Sequence, residues 1–314
     1  MINDEALDTA NISRALVQSG SSFSDMLIRG REFLLDMISG VDDSRIVNRH
    51  VAAIDMQPSA DLAQKLKQTL DDLKISVMDA NGAKVDYQAL RVSSAYAAYH
   101  EECLAVLDRF NPADLTSTEA RRAFWINLYN ALVMDAVIDL GIQRSVTEGR
   151  LGLLTFFRRA AYSVNGKRVS LDDIEHGILR GNRGNPYVPG VHFSSGDQRL
   201  RWALSLDPRI HFALNCGGRS CPPIRSYSPD RLNEQLDIAA RSFVDSTVAT
   251  RPESGEVLLS KIFRWYEKDF GGRENMVDFL INYLPEDERR DYLVAERGYI
   301  RLRYNPYDWG LNAR

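Results

Sequence analysis

The sequence has few cysteines, no long apolar segment and no surplus of basic residues. Its 314 residues include three cysteines, too few and of the wrong parity for a disulfide framework, which favours free thiols in a reducing compartment. Nowhere do about 18 apolar residues follow one another, so no segment is predicted to span a bilayer. A formal net charge of −4 indicates neither nucleic acid nor an anionic membrane as partner. Because its start is acidic and unlike a signal peptide, we predict a cytoplasmic protein.

The composition that remains is typical of a globular protein, with 44% hydrophobic and 26% charged residues. We predict a helical N-terminal extension over residues 1–75 and one catalytic-type α+β domain over residues 76–314. Apolar residues recur near a period of 3.6 over 23–38 and again over 62–73. Both stripes are predicted to face the core, because a dimerising coiled coil would need three or more heptads.

Two Asn-Gly pairs between alternating residues predict tight antiparallel hairpins, one over residues 75–87 and one over 162–171. Asn and Gly tolerate the positive φ angles of a type I′ turn, which joins such strands. Since helical patterns lie between and after the hairpins, the expected fold is a helix-rich α+β domain without βαβ units.

The longest apolar helical pattern begins at a predicted capping box of Thr116 and Glu119 and ends at Gly141. A helix that is apolar nearly all round is buried, and this one carries two amides, Asn127 and Asn130. A buried amide needs hydrogen-bond partners. These two side chains are therefore predicted either to hold neighbouring loops or to line a substrate pocket.

Residues 207–223 combine reactive side chains with a glycine-rich turn. Apolar and polar residues alternate up to Asn215, which predicts a central strand with Cys216 at its carboxyl end, where an Asn-Cys-Gly-Gly loop follows. Arg209 on this strand suits a carboxylate-bearing substrate, because its planar guanidinium binds such groups bidentately.

The loop that follows has the residues of an anion-binding turn. Gly217 and Gly218 allow a sharp reversal, and the backbone amides from Gly217 to Ser220 could converge on an oxyanion. Together with Asn215 and Cys221, these residues are predicted to contact substrate.

We hypothesise a cysteine-dependent hydrolase or acyltransferase that acts on an amide, peptide or thioester. Cys216 would attack, and His176 would take and return the proton, with Glu175 beside it. His211 is a further candidate, but it precedes Cys216 by five residues. In a strand that separation is about 16 Å, so His211 could act only if the chain folds back.

Two other classes stay open. Cys216 and Cys221 could form a thiol-redox couple, or all these groups could be structural parts of a non-enzymatic module that binds a peptide or another partner. Neither a metal nor a cofactor is predicted, because the cysteine spacing fits no common site. The expected partner is a small-molecule or peptide substrate, and a homo-oligomer is possible.

Six ordered segments resemble the "domain of unknown function 547" family over residues 80–312. They are VDYQAL (85–90), AFWINLYNALVM (123–134), SLDDIEHGILR (170–180), DPRIHFALNCGGRSCPPIR (207–225), SKIFRWYEKDF (260–270) and YDWGLN (307–312). The resemblance implies a class without a settled activity. A looser analogy is to permuted papain-like hydrolases, which also place a histidine before an Asn-Cys nucleophile, although those enzymes begin a helix at the cysteine.

Overall fold

The computed structural model describes residues 23–42, 45–50, 61–149 and 152–314. In these ranges helices predominate over small sheets, which confirms the predicted helix-rich α+β class. The α-helices are α1 (Phe23–Ser39), α2 (Leu62–Val77), α3 (Tyr87–Val92), α4 (Ser94–Ala98), α5 (Ala105–Leu107), α6 (Thr118–Asp139), α7 (Leu153–Arg159), α8 (Leu232–Thr247), α9 (Lys261–Trp265), α10 (Arg273–Tyr283) and α11 (Glu288–Glu296).

Shorter helical turns connect these helices. Two are π-helical, Tyr99–Leu104 and Asp173–Leu179. The 3₁₀ turns are Val47–His50, Pro112–Asp114, Gln198–Trp202, Pro208–Phe212, Pro229–Arg231, Pro252–Ser254 and Glu267–Phe270.

The strands in the described residues form one two-stranded and one three-stranded sheet. In the first, β1 (Ala161–Val164) pairs antiparallel with β2 (Lys167–Ser170). Asn165 and Gly166 between them have φ angles of 49° and 67°, so the predicted hairpin is confirmed. The second sheet has the order β3 (Ala249–Arg251), β4 (Glu256–Leu259) and β5 (Arg301–Tyr304), with β3 antiparallel and β5 parallel to β4.

Helix α6 is the centre of the larger core and is buried on all sides from Arg122 to Val137. Its N-cap is Ser117, whose hydroxyl accepts the amide of Ala120, so the prediction of Thr116 as the cap was one residue early. The leucines of α2 pack into this same core, as their spacing predicts. A second cluster joins α8, α10 and β4 around Phe212.

Three predictions of local structure are wrong. The first hairpin is reduced to one antiparallel bridge, Met78 with Val85, because α2 continues as a helix to Val77. The central strand is a 3₁₀ turn, since Asp207 caps the chain at Pro208 and accepts the amide of Arg209.

The third wrong prediction concerns α1. Its apolar stripe faces outward, and the charged side of the helix contacts the rest of the protein.

No helix in the described residues is long and apolar enough to cross a bilayer.

Candidate functional site

A cavity of about 420 Å³ lies between the π-helical turn Asp173–Leu179, the loop 185–188 and the C-terminal segment. Aromatic rings form much of its wall. Trp265 stacks on Trp309 with ring centroids 5.5 Å apart, and Tyr307 packs 4.5 Å from Trp309. Such flat apolar surfaces suit an apolar or aromatic ligand.

The cavity brings together all four residues that the sequence proposes for catalysis. Cys216, His176, Glu175 and His211 line it, although they come from two distant segments of the chain. The residues proposed to bind substrate do not form its lining. These are Asn127, Asn130, Arg209, Asn215, Gly217, Gly218, Ser220 and Cys221.

Cys216 and Cys221 form a disulfide bond, with their Cα atoms 6.0 Å apart. The expectation of free thiols is therefore wrong for this pair, while Cys103 is free and buried. An odd number of cysteines does not exclude a disulfide here, because Cys103 stays free and the other two cysteines pair. The turn at Gly217, whose φ is +80°, brings the two sulfurs together.

The sulfur of Cys221 lies among hydrogen-bond donors. It accepts the amides of Cys216 and Gly218 at 3.2 and 3.3 Å and the hydroxyl of Tyr307 at 3.1 Å. The hydroxyl also lies 3.3 Å from Cys216 Sγ. Donors in this arrangement stabilise negative charge on sulfur.

The backbone amides of residues 217–220 do not form the predicted oxyanion hole. Those of Gly217 and Gly218 donate to the Asn215 side chain and to sulfur, and those of Arg219 and Ser220 donate to backbone carbonyls. The amides of Arg219 and Ser220 bind carbonyls of the C-terminal segment. The spacing of residues in the loop does not indicate this contact. No helix begins at Cys216, so the papain-like analogy has no local support.

Buried amides hold the disulfide loop on α6. Asn130 donates to the carbonyl of Ala213 at 3.0 Å and accepts the amide of Asn215 at 2.9 Å. The Asn215 side chain closes the loop by donating to Pro222 at 2.6 Å. One turn earlier, Asn127 holds the backbone of Tyr227 in the same way. These amides therefore hold loops, the first of the two predicted roles.

Arg209 lies outside the cavity wall. Its guanidinium makes a bidentate contact with Asp207 at 3.0 and 2.6 Å and a further one with Asp237 at 2.9 Å. Because these carboxylates neutralise the guanidinium, it is not directed at a substrate.

His176 is buried, and its hydrogen bonds restrict its chemistry. Arg180 donates to Nδ1 at 3.0 Å, and a guanidinium has no acceptor, so the neutral ring carries its proton on Nε2. Burial, reinforced by Arg180, holds the pKa of His176 well below its usual value. The lone pair of Nδ1 is thus already engaged by Arg180.

The two carboxyl groups that line the cavity differ. Glu175 accepts the hydroxyls of Tyr266 at 2.5 Å and Tyr129 at 3.0 Å. Asp172 is fully desolvated, and burial raises its pKa to about 7 against the opposing effects of His192 and Arg158. A carboxyl that changes charge near neutral pH is suited to general acid–base catalysis.

His211 belongs to a buried ion-pair cluster at the edge of the cavity. Its Nε2 lies 2.9 Å from Asp269, which also receives a bidentate contact from Arg180. The imidazole stacks on Tyr266 at a centroid distance of 3.8 Å. Desolvation lowers the pKa of His211, while the hydrogen bond to Asp269 opposes that effect.

The residues of the site that sequence reasoning missed include Asp172, Trp265, Tyr307 and Trp309. The three aromatic residues lie in the last two family-like segments, so those segments already indicated them. Asp172 also lies in such a segment, SLDDIEHGILR, but its raised pKa depends on burial that only the fold creates. Within the described residues, no group of three or more His, Cys, Asp or Glu side chains could hold a metal ion.

Comparison with known proteins agrees with the resemblance read from the motifs. Residues 112–244 match the model of a family described as "Protein of unknown function, DUF547". The match spans α6, the π-helical turn of His176 and the disulfide loop. Neither the curated proteins nor the solved structures contain a match.

Proposed function

We propose that this protein catalyses thiol–disulfide exchange at the Cys216–Cys221 bond, with an apolar or aromatic thiol or cysteine peptide bound in the cavity. One observation supports the proposal above the others. Cys216 lines the cavity, whereas Cys221 does not, and the sulfur of Cys221 accepts three hydrogen bonds. One sulfur is therefore open to attack, and the other is prepared to leave.

The exchange takes place in two balanced steps. A substrate thiolate attacks Cys216 Sγ, a mixed disulfide forms, and the electron pair of the Cys216–Cys221 bond passes to Cys221 Sγ. A second substrate thiol then attacks the substrate sulfur and releases the thiolate of Cys216. The substrate dithiol is oxidised to a disulfide, and the protein is reduced to a dithiol. Run in reverse, the same steps reduce a substrate disulfide.

The donors at Cys221 accelerate the first step because they stabilise the leaving thiolate. A hydrogen bond to a charged group contributes about 1.5–3 kcal/mol. Loss of the Tyr307 hydroxyl should slow exchange by about tenfold, since 1.4 kcal/mol corresponds to that factor. In Tyr307→Phe the ring and its packing remain. Tyr299→Phe, at a residue that is 86% exposed, is the matched control.

Asp172 supplies the proton acceptor in this proposal. Its pKa of about 7 leaves a large share of this carboxyl group ionised at neutral pH, so the carboxylate in the cavity lining can act as general base towards the bound thiol. The exchange rate of the native protein should rise through pH 7. In Asp172→Asn that step should disappear, and only the rise due to the free thiol at higher pH should remain.

The test is exchange between the oxidised full-length protein and two thiols, thiophenol and glutathione, followed by iodoacetamide and intact-mass analysis. We expect a gain of two alkyl groups, with thiophenol faster after correction for thiolate concentration. An unreactive disulfide would refute the exchange proposal and leave a partner-binding module as the better account. Equal reactivity of the two thiols would refute selection by the cavity.

Acyl transfer or hydrolysis by Cys216 is a second candidate, because the cavity holds Cys216 together with the carboxyl groups of Asp172 and Glu175. This chemistry requires the disulfide to be reduced first. A chromogenic thioester should then give a burst of one acyl group per protein, carried on Cys216. Exchange without a burst would reject this candidate.

The predicted cytoplasmic location is compatible with the exchange proposal. Disulfides in reducing compartments are usually transient and catalytic or redox-sensing. Localisation of the tagged full-length chain tests this prediction.

A further inference from the structure

Helix α1 exposes a continuous apolar stripe. Its seven large apolar side chains are between 46% and 72% exposed. They are Phe23, Met26, Leu27, Phe33, Leu34, Met37 and Ile38. Single exposed apolar residues are normal, but a stripe along one whole helix marks an interaction surface.

The orientation of α1 is fixed by polar contacts on its other side. Arg158 pairs with Glu32 and, at 2.5 Å, with Asp36. Asp25, which is buried, accepts the backbone amide of Ser195 at 2.8 Å. The helix cannot turn its apolar stripe inward without breaking these contacts, so the described part of the chain leaves the stripe uncovered.

The stripe has the area of one side of a stable interface. With about 200 Å² for a fully exposed large side chain, the exposed fractions amount to roughly 800 Å². The largest apolar patch of a typical monomer covers about 300–600 Å². A standard protein–protein interface buries about 800 Å² on each partner.

Six of the seven residues of the stripe are placed symmetrically about Gly30. Large apolar residues stand three, four and seven positions before it and again three, four and seven positions after it. An antiparallel copy centred on Gly30 would therefore place Phe23 opposite Met37, Met26 opposite Leu34 and Leu27 opposite Phe33. A two-fold interface requires a surface that complements itself, and this stripe has that property.

The glycine at position 30 is a second feature that supports a close contact between two copies of α1. Glycine is among the poorest helix formers, yet it occupies the middle of this helix. A Cβ at Gly30 would have nothing within 4 Å, so packing within the chain does not require glycine there. A glycine at the centre of an interface lets two helix backbones approach closely at their crossing point.

We infer that α1 pairs antiparallel with α1 of a second copy of this chain, with the two-fold axis at Gly30. A membrane fits less well, because α1 carries three acidic and two basic residues and gives no basic rim for lipid headgroups. The dimer would also support the cavity. Arg31 on α1 donates to the carbonyl of Val191 at 2.5 Å, just beyond the loop 185–188 that lines it.

Cysteine cross-linking of the full-length chain tests the geometry. Gly30→Cys should form a disulfide-linked dimer under mild oxidation, because residue 30 faces itself across the axis within the Cα separation that a disulfide allows. Ile75→Cys, at a residue that is 85% exposed on α2, is the matched control and should not link. Phe23→Cys should link to a chain carrying Met37→Cys. Faster linking of Phe23→Cys to itself would overturn the antiparallel arrangement.

Sedimentation of the full-length chain tests the association without cysteines. We expect a dimer at micromolar concentration, and Gly30→Leu should raise its dissociation constant by at least about tenfold by separating the backbones. The variant should unfold at the same temperature or higher when monomeric, since its side chain meets nothing in the chain. A native protein that stays monomeric, including one that binds neutral phosphatidylcholine vesicles, would overturn the inference.

Discussion

The amide of Asn130 should decide whether the disulfide loop keeps its shape. Replacing Asn130 by Ala leaves the carbonyl of Ala213 and the amide of Asn215 without their side-chain partner at positions that are 0% and 1% exposed. An unsatisfied buried group costs about 1–3 kcal/mol, so the two together should lower the free energy of unfolding by about 2–6 kcal/mol. A typical domain has a free energy of unfolding of about 5–15 kcal/mol, so the variant should remain folded.

Asn127→Ala is the matched control, because it removes the same kind of amide one helical turn away. It also leaves two backbone groups unpaired, those of Tyr227, but it does not touch the disulfide loop. Urea denaturation should show a similar loss for both variants, whereas only Asn130→Ala should change the rate of disulfide exchange. A loss below about 1 kcal/mol for Asn130→Ala would refute the loop-holding role.

Three further substitutions test other parts of the structure. Gly177→Ala should lower the free energy of unfolding by about 1–3 kcal/mol, because its Cβ would lie 2.2 Å from the ring of Phe193; an unchanged melting temperature would contradict this packing. Gly166→Ala should cost about 1–2 kcal/mol through its positive φ, whereas Gly298→Ala, equally open, should cost less. His176 stays neutral in the folded protein, whereas in the unfolded chain it gains a proton below pH 6.5, so the native protein loses stability as the pH falls. In His176→Gln the free energy of unfolding should therefore fall less steeply between pH 6.5 and 5 than in the native protein, by up to about 1.4 kcal/mol per pH unit. Parallel slopes in urea denaturation would contradict a neutral, buried His176.

Features set by neighbouring residues could be predicted from the sequence. The turn at Asn165-Gly166 depends on two φ angles that these residues tolerate, and the structure has both. The turn at 207–212 shows the opposite case. Apolar alternation there predicts a strand, but Asp207 and Pro208 form a local cap that overrides the period. An Asp-Pro pair is typical of such a cap, so the turn itself could be predicted from the sequence.

Features set by distant contacts could not be predicted. The stripe of α1 has the period of a buried helix, and nothing in that period says whether its own chain covers it. The engagement of the loop amides depends on residues 308–310, about ninety positions away. The same holds for Asp172, whose pKa follows from burial by the assembled fold.

Trapping of the mixed disulfide tests the central claim most directly. Cys221→Ser leaves Cys216 without its partner, so incubation with a symmetric aromatic disulfide should place one aromatic thiol on Cys216, located by peptide mapping. Cys216→Ser should acquire far less on Cys221, which does not line the cavity. Equal labelling of the two cysteines, or no labelling of Cys216, would contradict an exchange site with Cys216 as the attacked sulfur.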